Sequence, residues 1–355
     1  MKIIHIVWGL RYGGAETMLV DIINRQCLKH NVELLIENLD IDNDLLSLID
    51  SRAKIITINR PRGSRNPYYV LKTNFILLFS GADIIHVHQE NMIRYLLVRF
   101  LKKNLCLTVH CVRMDVAEVK LFKHIFAIST KVKEEILRKT GKEAVLVPNG
   151  IDVQGFNRKK ENHPGFRMVQ IGRLDHKHKG QDLTLKAIHN LVTQYNYTAM
   201  HLDVIGVGDS EKYLKELADD LNITTYVTFL GSCTKDYIKE NLTNYDLLLQ
   251  PSLWEGFGLT IIEAMSAMTP TLISNVDGMK MISKDGELSY TFQSGNTDDL
   301  TQKIMSIIQL SENERQILAN KAYEHVAANY DISSTANNYL KNYEIILTKA
   351  KKEIA

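Results

Sequence analysis

The chain has 355 residues, 45% of them hydrophobic and 24% charged, with a formal net charge of +2. That length suggests two domains and that composition an ordinary globular protein, which excludes a disordered or fibrous chain. No apolar run reaches the about 18 residues of a membrane span.

The start, MKIIHIVWGL, has too short an apolar stretch and no small-residue cleavage site, so it reads as a buried strand rather than a signal peptide. Cys27, Cys106, Cys111 and Cys233 form no C-x-x-C pair. They read as free thiols in a reducing compartment, and a cytoplasmic protein is expected. Residues 1–150 hold 22 Lys+Arg against 15 Asp+Glu (+7), and the remainder holds 21 against 26 (−5). A basic first half suggests an anionic partner. Finger, basic-zipper and aromatic signatures of nucleic-acid binding are missing, so no nucleic-acid partner is expected.

In chain order, strand patterns fall at 2–8, 32–37, 54–58, 83–88, 105–109, 124–128 and 144–147. Helical patterns lie between most of them, such as AETMLVDIINRQCLK and NMIRYLLVRFLKK. Near-continuous apolar strands with helical crossovers mean a parallel sheet covered on both faces. The segment 147–165, VPNGIDVQGFNRKKENHPG, is rich in Pro, Gly, Asn and charge and reads as an interdomain hinge. The alternation restarts at 166–171, 201–206, 226–230, 245–250, 270–274 and 288–292, and helical patterns close the chain from about 297. The expectation is α/β: two doubly wound domains facing across a cleft, 1–150 and 151–331, with ligands beyond the carboxyl ends of the strands.

Several stretches can carry chemistry. GLRYGGAET (9–17) joins a strand to a helix, so its backbone N–H groups could approach a phosphate, with Gly13 and Gly14 leaving room. A plain tight turn explains it equally well. IGVGDS (205–210) lacks the third glycine of a dinucleotide fingerprint. In GRLDHKHKG (172–180), Arg173 and Lys179 lie six apart on a loop leading into a helix. Two cations there can clamp a diphosphate and neutralise a leaving group; a solvated basic loop is the bland alternative. His176 and His178 lack partners for a metal set and read as solvated.

WEGFGLTIIE (254–263) places Glu255 before a helix expected to begin near Gly258, with Leu259, Ile262 and Met265 on its buried side. Glu263 falls just over one turn inside. The free N–H groups from Phe257 to Thr260 form an anion site. Carboxylates beside a diphosphate are useful when they accept hydrogen bonds from hydroxyls, which sugars and ribose supply in pairs. A surface Glu and a helix-cap Glu is the alternative. His110 ends a strand and can bond a sugar hydroxyl or serve the fold; His86 and His88 carry the same ambiguity. LDIDND (39–44) reads as a solvated helix start rather than a metal site. Basic amphipathic stretches at 91–103, 119–124 and 60–65 suit an anionic membrane face as well as an ordinary charged surface.

Together these stretches resemble the retaining GT-B glycosyltransferases of family 4 (glycosyl transferases group 1). The resemblance rests on GGAET, TVH (108–110), VPNGID (147–152), GRLDHKHKG, FLG (229–231) and the two glutamates Glu255 and Glu263. It implies two Rossmann-like domains, the first serving the acceptor and the second the donor, with a last helix (332–355 included) crossing back to the first domain. It implies that Arg173 and Lys179 bind the donor diphosphate, that Glu255 meets the donor sugar and that Glu263 takes the ribose hydroxyls. Phe257, Gly258 and Leu259 would lie near sugar and phosphate, and Gly172 would belong to the donor site. Gly13 and Gly14 would border the phosphates, His110 would face the transferred sugar, and the segment around Leu230 would meet the base. Lys177 competes with Lys179 for its role, and Lys179 is the better match because it directly precedes Gly180.

The implied activity is retaining transfer of a sugar from a nucleotide-sugar donor, UDP favoured, to a glycan or lipid-linked saccharide acceptor in bacterial surface polysaccharide synthesis. No cofactor and no essential metal is expected, and peripheral contact with the inner face of an anionic cytoplasmic membrane is. The alternatives are an inactive nucleotide- or sugar-binding protein on the same fold and an NAD-dependent dehydrogenase, which the missing fingerprint disfavours.

Overall fold

A computed structural model of the chain describes residues 1–11, 13–100 and 104–352. The chain divides into two compact units, Met1–Ile151 with Tyr330–Ala355, and Asp152–Asn329. Each is a parallel sheet covered by helices, and together they have the GT-B class of fold.

The first unit holds β1 (Lys2–Val7), β2 (Asn31–Asn38), β3 (Lys54–Arg60), β4 (Ile84–Val87), β5 (Leu105–Val109), β6 (His124–Ala127) and β7 (Val145–Leu146), in the order β3-β2-β1-β4-β5-β6-β7. All pairings are parallel, which is why these strands read as unbroken apolar runs. Helix Gly14–Gln26 serves two core clusters. Met18 and Ile22 pack with Ile3 and Ile84, and Leu19 and Ile23 pack with Leu34 and Ile36. The last helix, Ile332–Lys352, joins the first cluster through Ile332, Ala336, Tyr339 and Tyr343. Its start is tied down as well: Ile151 pairs with Asp331, and Thr335 Oγ1 donates to Pro148 O at 2.9 Å.

The second unit holds β8 (Phe166–Ile171), β9 (Met200–Ile205), β10 (Val227–Gly231), β11 (Leu247–Gln250), β12 (Thr271–Ser274) and β13 (Tyr290–Phe292), in the order β10-β9-β8-β11-β12-β13. Met168, Leu202, Leu247 and Leu249 fill its core against helix Gln181–Tyr195 and helix Thr297–Gln309. In both sheets the strand order reverses beside the first strand, between β1 and β4 and between β8 and β11. Ligands of open α/β sheets settle at that reversal, outside the carboxyl ends.

One expectation fails. Residues 91–100, the described part of the stretch 91–103, do not form one amphipathic helix. They form two 3-10 turns, Glu90–Arg94 and Leu97–Phe100, and Lys102 and Lys103 lie outside the described residues. Asn74 supplies the reason: its Nδ2 donates to Tyr95 O at 3.0 Å and its Oδ1 accepts from Val98 N–H at 3.0 Å, engaging backbone groups a helix would pair internally. In the LDIDND stretch, Asp42 caps helix Asn43–Ser47 by accepting from Leu45 N–H at 3.0 Å, and Asp40 pairs with Arg11 at 2.8 Å. That run is a helix start, as expected.

Candidate active site

The second unit brings its two motif loops together at the strand reversal. The loop after β8 carries Gly172, Arg173 and Lys179; the loop after β11 carries Glu255. β8 and β11 are neighbours in the sheet, so the loops leave it side by side. Gly180 sits at φ +66°, and a Cβ there would lie 2.2 Å from Pro251 O, so only glycine lets the two loops close this tightly. Leu253 N–H donates to His178 O at 2.8 Å, and His178 Nε2 donates to Trp254 O at 2.9 Å. The His178 and Trp254 rings stack 3.5 Å apart, nearly parallel at 3°. His176 Nδ1 lies 2.8 Å from Ser210 Oγ. Both histidines are therefore committed to loop contacts, not solvated as expected.

Lys179 Nζ meets Glu255 Oε1 at 2.5 Å, with side chains only 20% and 9% exposed. The same oxygen accepts from Gln250 Nε2 at 2.9 Å and Ser252 Oγ at 2.8 Å. Gln250 is fixed in turn, since its Oε1 accepts from Thr260 Oγ1 at 2.9 Å. Burial alone would raise the Glu255 pKa. Lys179, by charge and hydrogen bond, with Ser252 and His178, outweighs it and holds the carboxyl below its usual range. Burial and the Lys179 charge keep His178 below its ordinary value. Lys177 is exposed while Lys179 points inward, which separates the two competing lysines.

Gly172 lies beside Lys179, whose Cε would be 3.8 Å from a Cβ placed there. Arg173 is brought to the same loop but stays outside the buried cluster, 69% exposed and 3.4 Å from Asp175. Helix Leu259–Ser266 opens at Gly258, φ 104°, directly after Phe257. Its N–H groups thus emerge next to Glu255, and Glu263 lies one turn further in. Leu259 is only half-buried, and Ile261 takes the core place expected of it. The helix is tilted so that positions 261, 262, 264 and 265 face inward. A Cβ at Gly278 would come within 1.9 Å of Glu255 O, so the helix starting at Asp277 also closes on this loop. Leu230 lies two strands from β8, at an irregularity of β10, and is 37% exposed.

Gly13, Gly14 and His110 belong to the first unit. Gly13 is extended, φ −172°, and opens helix Gly14–Gln26 without a side-chain cap. Among the described residues both buried ring nitrogens of His110 have no hydrogen-bond partner, and burial lowers its pKa to about 4. His86 and His88 turn out to be structural. His5, His86 and His88 bring ring nitrogens within 4.8 Å of one another, a grouping that could hold a metal. Those nitrogens are already used. His5 Nε2 donates to Gln26 Oε1 at 2.8 Å, His5 Nδ1 lies 3.0 Å from His88 Nε2, and His86 bonds Thr108 Oγ1 at 2.8 Å and the Tyr343 hydroxyl. Among the described residues no carboxylate joins them, so they form a neutral network that anchors the last helix.

The glycosyl transferases group 1 family matches residues 153–325, and the glycosyltransferase family 4 pattern matches residues 12–154. The chain belongs to this glycosyltransferase family. Among relatives, phosphatidyl-myo-inositol mannosyltransferase of Mycobacterium leprae is 22% identical over 78% of this chain and 77% of its own. Protein CapJ of Staphylococcus aureus is 34% identical over 51% of this chain and 45% of its own. The crystal structure of HepE from Anabaena, in complex with UDP and glucose, superposes with a TM-score of 0.80 at 18% identity, covering 97% of this glycosyltransferase and 99% of that chain. No helix among the described residues of the glycosyltransferase is long and apolar enough to cross a membrane.

Sequence reasoning missed Gln250, Ser252 and Thr260. A signal existed for one: Gln250 is a buried amide ending the apolar run LLLQ, and a polar side chain in such a place needs a partner.

Proposed function

We propose that this glycosyltransferase moves a hexosyl group from a UDP-sugar to a glycan or lipid-linked saccharide, with retention of anomeric configuration and without an essential metal. The observation that carries the reading is the buried Lys179–Glu255 pair at the strand reversal of the second unit. An ammonium has three N–H donors and Glu255 engages one, so Lys179 can hold a donor phosphate at the same time. Arg173, exposed on the same loop, supplies a second cation. The N-terminus of helix Leu259–Ser266, with Phe257, Gly258 and Leu259, adds backbone N–H groups for the same diphosphate.

In this reading Glu255 Oε2 accepts a hydroxyl of the donor sugar and Glu263 accepts the ribose hydroxyls. Gly172 and the segment around Leu230 complete the donor site, and Gly13, Gly14 and His110 keep the roles implied by the family resemblance. The bond from anomeric carbon to phosphate oxygen breaks, and one from that carbon to the acceptor oxygen forms on the same face. The acceptor proton goes to the departing phosphate oxygen, whose charge the cations stabilise. The mycobacterial relative is named for phosphatidyl-myo-inositol, which favours a lipid-linked acceptor, and HepE binds UDP and glucose, which favours a UDP-sugar donor. The basic first half favours work at an anionic membrane face, in building a bacterial surface polysaccharide.

The test is release of UDP from UDP-glucose, UDP-galactose and UDP-N-acetylglucosamine in EDTA, with the product anomer read by proton NMR. Turnover of one donor with retention is expected, reduced roughly a hundredfold or more in Glu255→Gln. Turnover that needs a divalent ion, or an inverted product, would refute the mechanism.

A further inference from the structure

Helix Pro67–Phe79 is built inside out. Its buried side carries Thr73 and Asn74 beside Leu77: Thr73 Oγ1 donates to Glu37 at 2.8 Å, and Asn74 bonds the backbone of Tyr95 and Val98. Its outer side carries Tyr68, Leu71, Phe75, Leu78 and Phe79, with Leu71, Phe75 and Phe79 exposed to 62%, 66% and 70%. At 100° per residue those five side chains fall within an arc of roughly 100°. They therefore form one apolar stripe, and the Phe75 and Phe79 rings touch at 4.7 Å between centroids. Single exposed apolar residues need no explanation, but a contiguous aromatic stripe marks a contact surface.

The charge around the stripe identifies what it contacts. Residues 51–82 contain no Asp or Glu and six Lys or Arg. Of these, Arg62 and Arg65 lie exposed in the loop just before the helix. Aromatic and aliphatic side chains on one face, with free cations at one end, match the boundary between acyl chains and anionic headgroups. A partner protein with an apolar groove would not require the long acid-free stretch.

We propose that helix Pro67–Phe79 lies flat in the surface of an anionic bilayer. The stripe from Tyr68 to Phe79 enters the acyl boundary, and Arg62 and Arg65 contact the headgroups. This deepens the membrane contact in the proposed function and rests on that part of it alone. It also moves the contact away from 91–103, whose described residues form two 3-10 turns.

The experiment is flotation of the full chain with vesicles of phosphatidylcholine alone and with 30% phosphatidylglycerol, at low salt. Phe75→Asp/Phe79→Asp and Arg62→Glu/Arg65→Glu are compared with wild type. Binding to the anionic vesicles is expected, weaker by roughly tenfold or more in each double variant. UDP binding and the melting temperature should be unchanged, since all four side chains are exposed. In a Phe75→Trp variant, indole emission should shift to the blue and be quenched by bromolipids. Three results would overturn the proposal: no binding of wild type, equal binding by the Phe75→Asp/Phe79→Asp variant, or a wild-type dimer in sedimentation that this variant dissolves. Failure to float with UDP binding intact overturns this inference and leaves the transferase reading standing.

Discussion

Removing the charge of Lys179 while keeping its stem, as Lys179→Met, would leave the Glu255 carboxylate 9% exposed with only the neutral donors Gln250 and Ser252. Breaking a buried pair on one side costs about 3–5 kcal/mol. Lys179 is 20% exposed, so water screens part of that, and about 2–3 kcal/mol is the expected loss. Glu255→Gln keeps an acceptor at Oε1 and lets the ammonium turn to solvent, so about 1–2 kcal/mol is expected. In the double variant both charges are gone, and its cost should fall short of the sum by at least about 1 kcal/mol. The chain has two tryptophans, and a Trp8→Phe background leaves Trp254, stacked on His178 in this loop, as the reporter. Urea titrations at pH 7.5 followed by Trp254 emission give the cycle directly. Costs that add to within about 0.5 kcal/mol would show that the two residues do not support each other, and the site argument would lose its base.

Three further outcomes are expected. Burial lowers the pKa of His5 and His110 to about 4 and holds His86 and His88 well below 6.5. Below pH 6.5 the unfolded chain therefore takes up protons that the folded chain refuses; stability should fall as pH drops from 6.5 towards 4, by on the order of 1–3 kcal/mol per group, and a flat melting profile over that window would contradict the network. Glu37 runs the opposite way: burial, partly offset by the bond from Thr73, lifts its pKa to about 7. Its contribution is present at pH 4 and lost as pH rises through 7, so Glu37→Gln should melt higher than wild type at pH 8, by about 1–3 kcal/mol, and show no gain at pH 4. Tyr343→Phe removes the hydroxyl paired with His86 in the buried network and should cost about 1–3 kcal/mol, with faster hydrogen exchange in helix Ile332–Lys352. An unchanged melt would mean that the hydroxyl does not anchor the helix.

Much of this was legible in the sequence because its physics is local. Parallel strands buried on both faces read as apolar runs, and thirteen such runs preceded by turns and helices became thirteen strands. The loops bearing Arg173, Lys179 and Glu255 could be placed at carboxyl ends by counting strands, since the reversal follows from doubly wound topology. What escaped depends on distant partners. Nothing within 91–103 says that Asn74 will take its backbone groups. The stripe on Pro67–Phe79 looks, by periodicity, like a core-facing surface; only Glu37, Tyr95 and Val98, far away in sequence, reveal that Thr73 and Asn74 face in. His178 seemed spare because the loop that receives it, at Trp254, lies more than seventy residues on, and His176 because its partner Ser210 lies more than thirty on.

The most direct measurement is the thermal stability of the full chain with UDP, GDP, ADP and NAD, in EDTA and then with Mg²⁺. A ligand that binds only the folded state raises the melting temperature by mass action. The account predicts a selective rise with UDP that EDTA does not abolish, and that Lys179→Met and Arg173→Ala each reduce. A rise with NAD alone, a rise that needs Mg²⁺, or a UDP effect indifferent to both variants would contradict it.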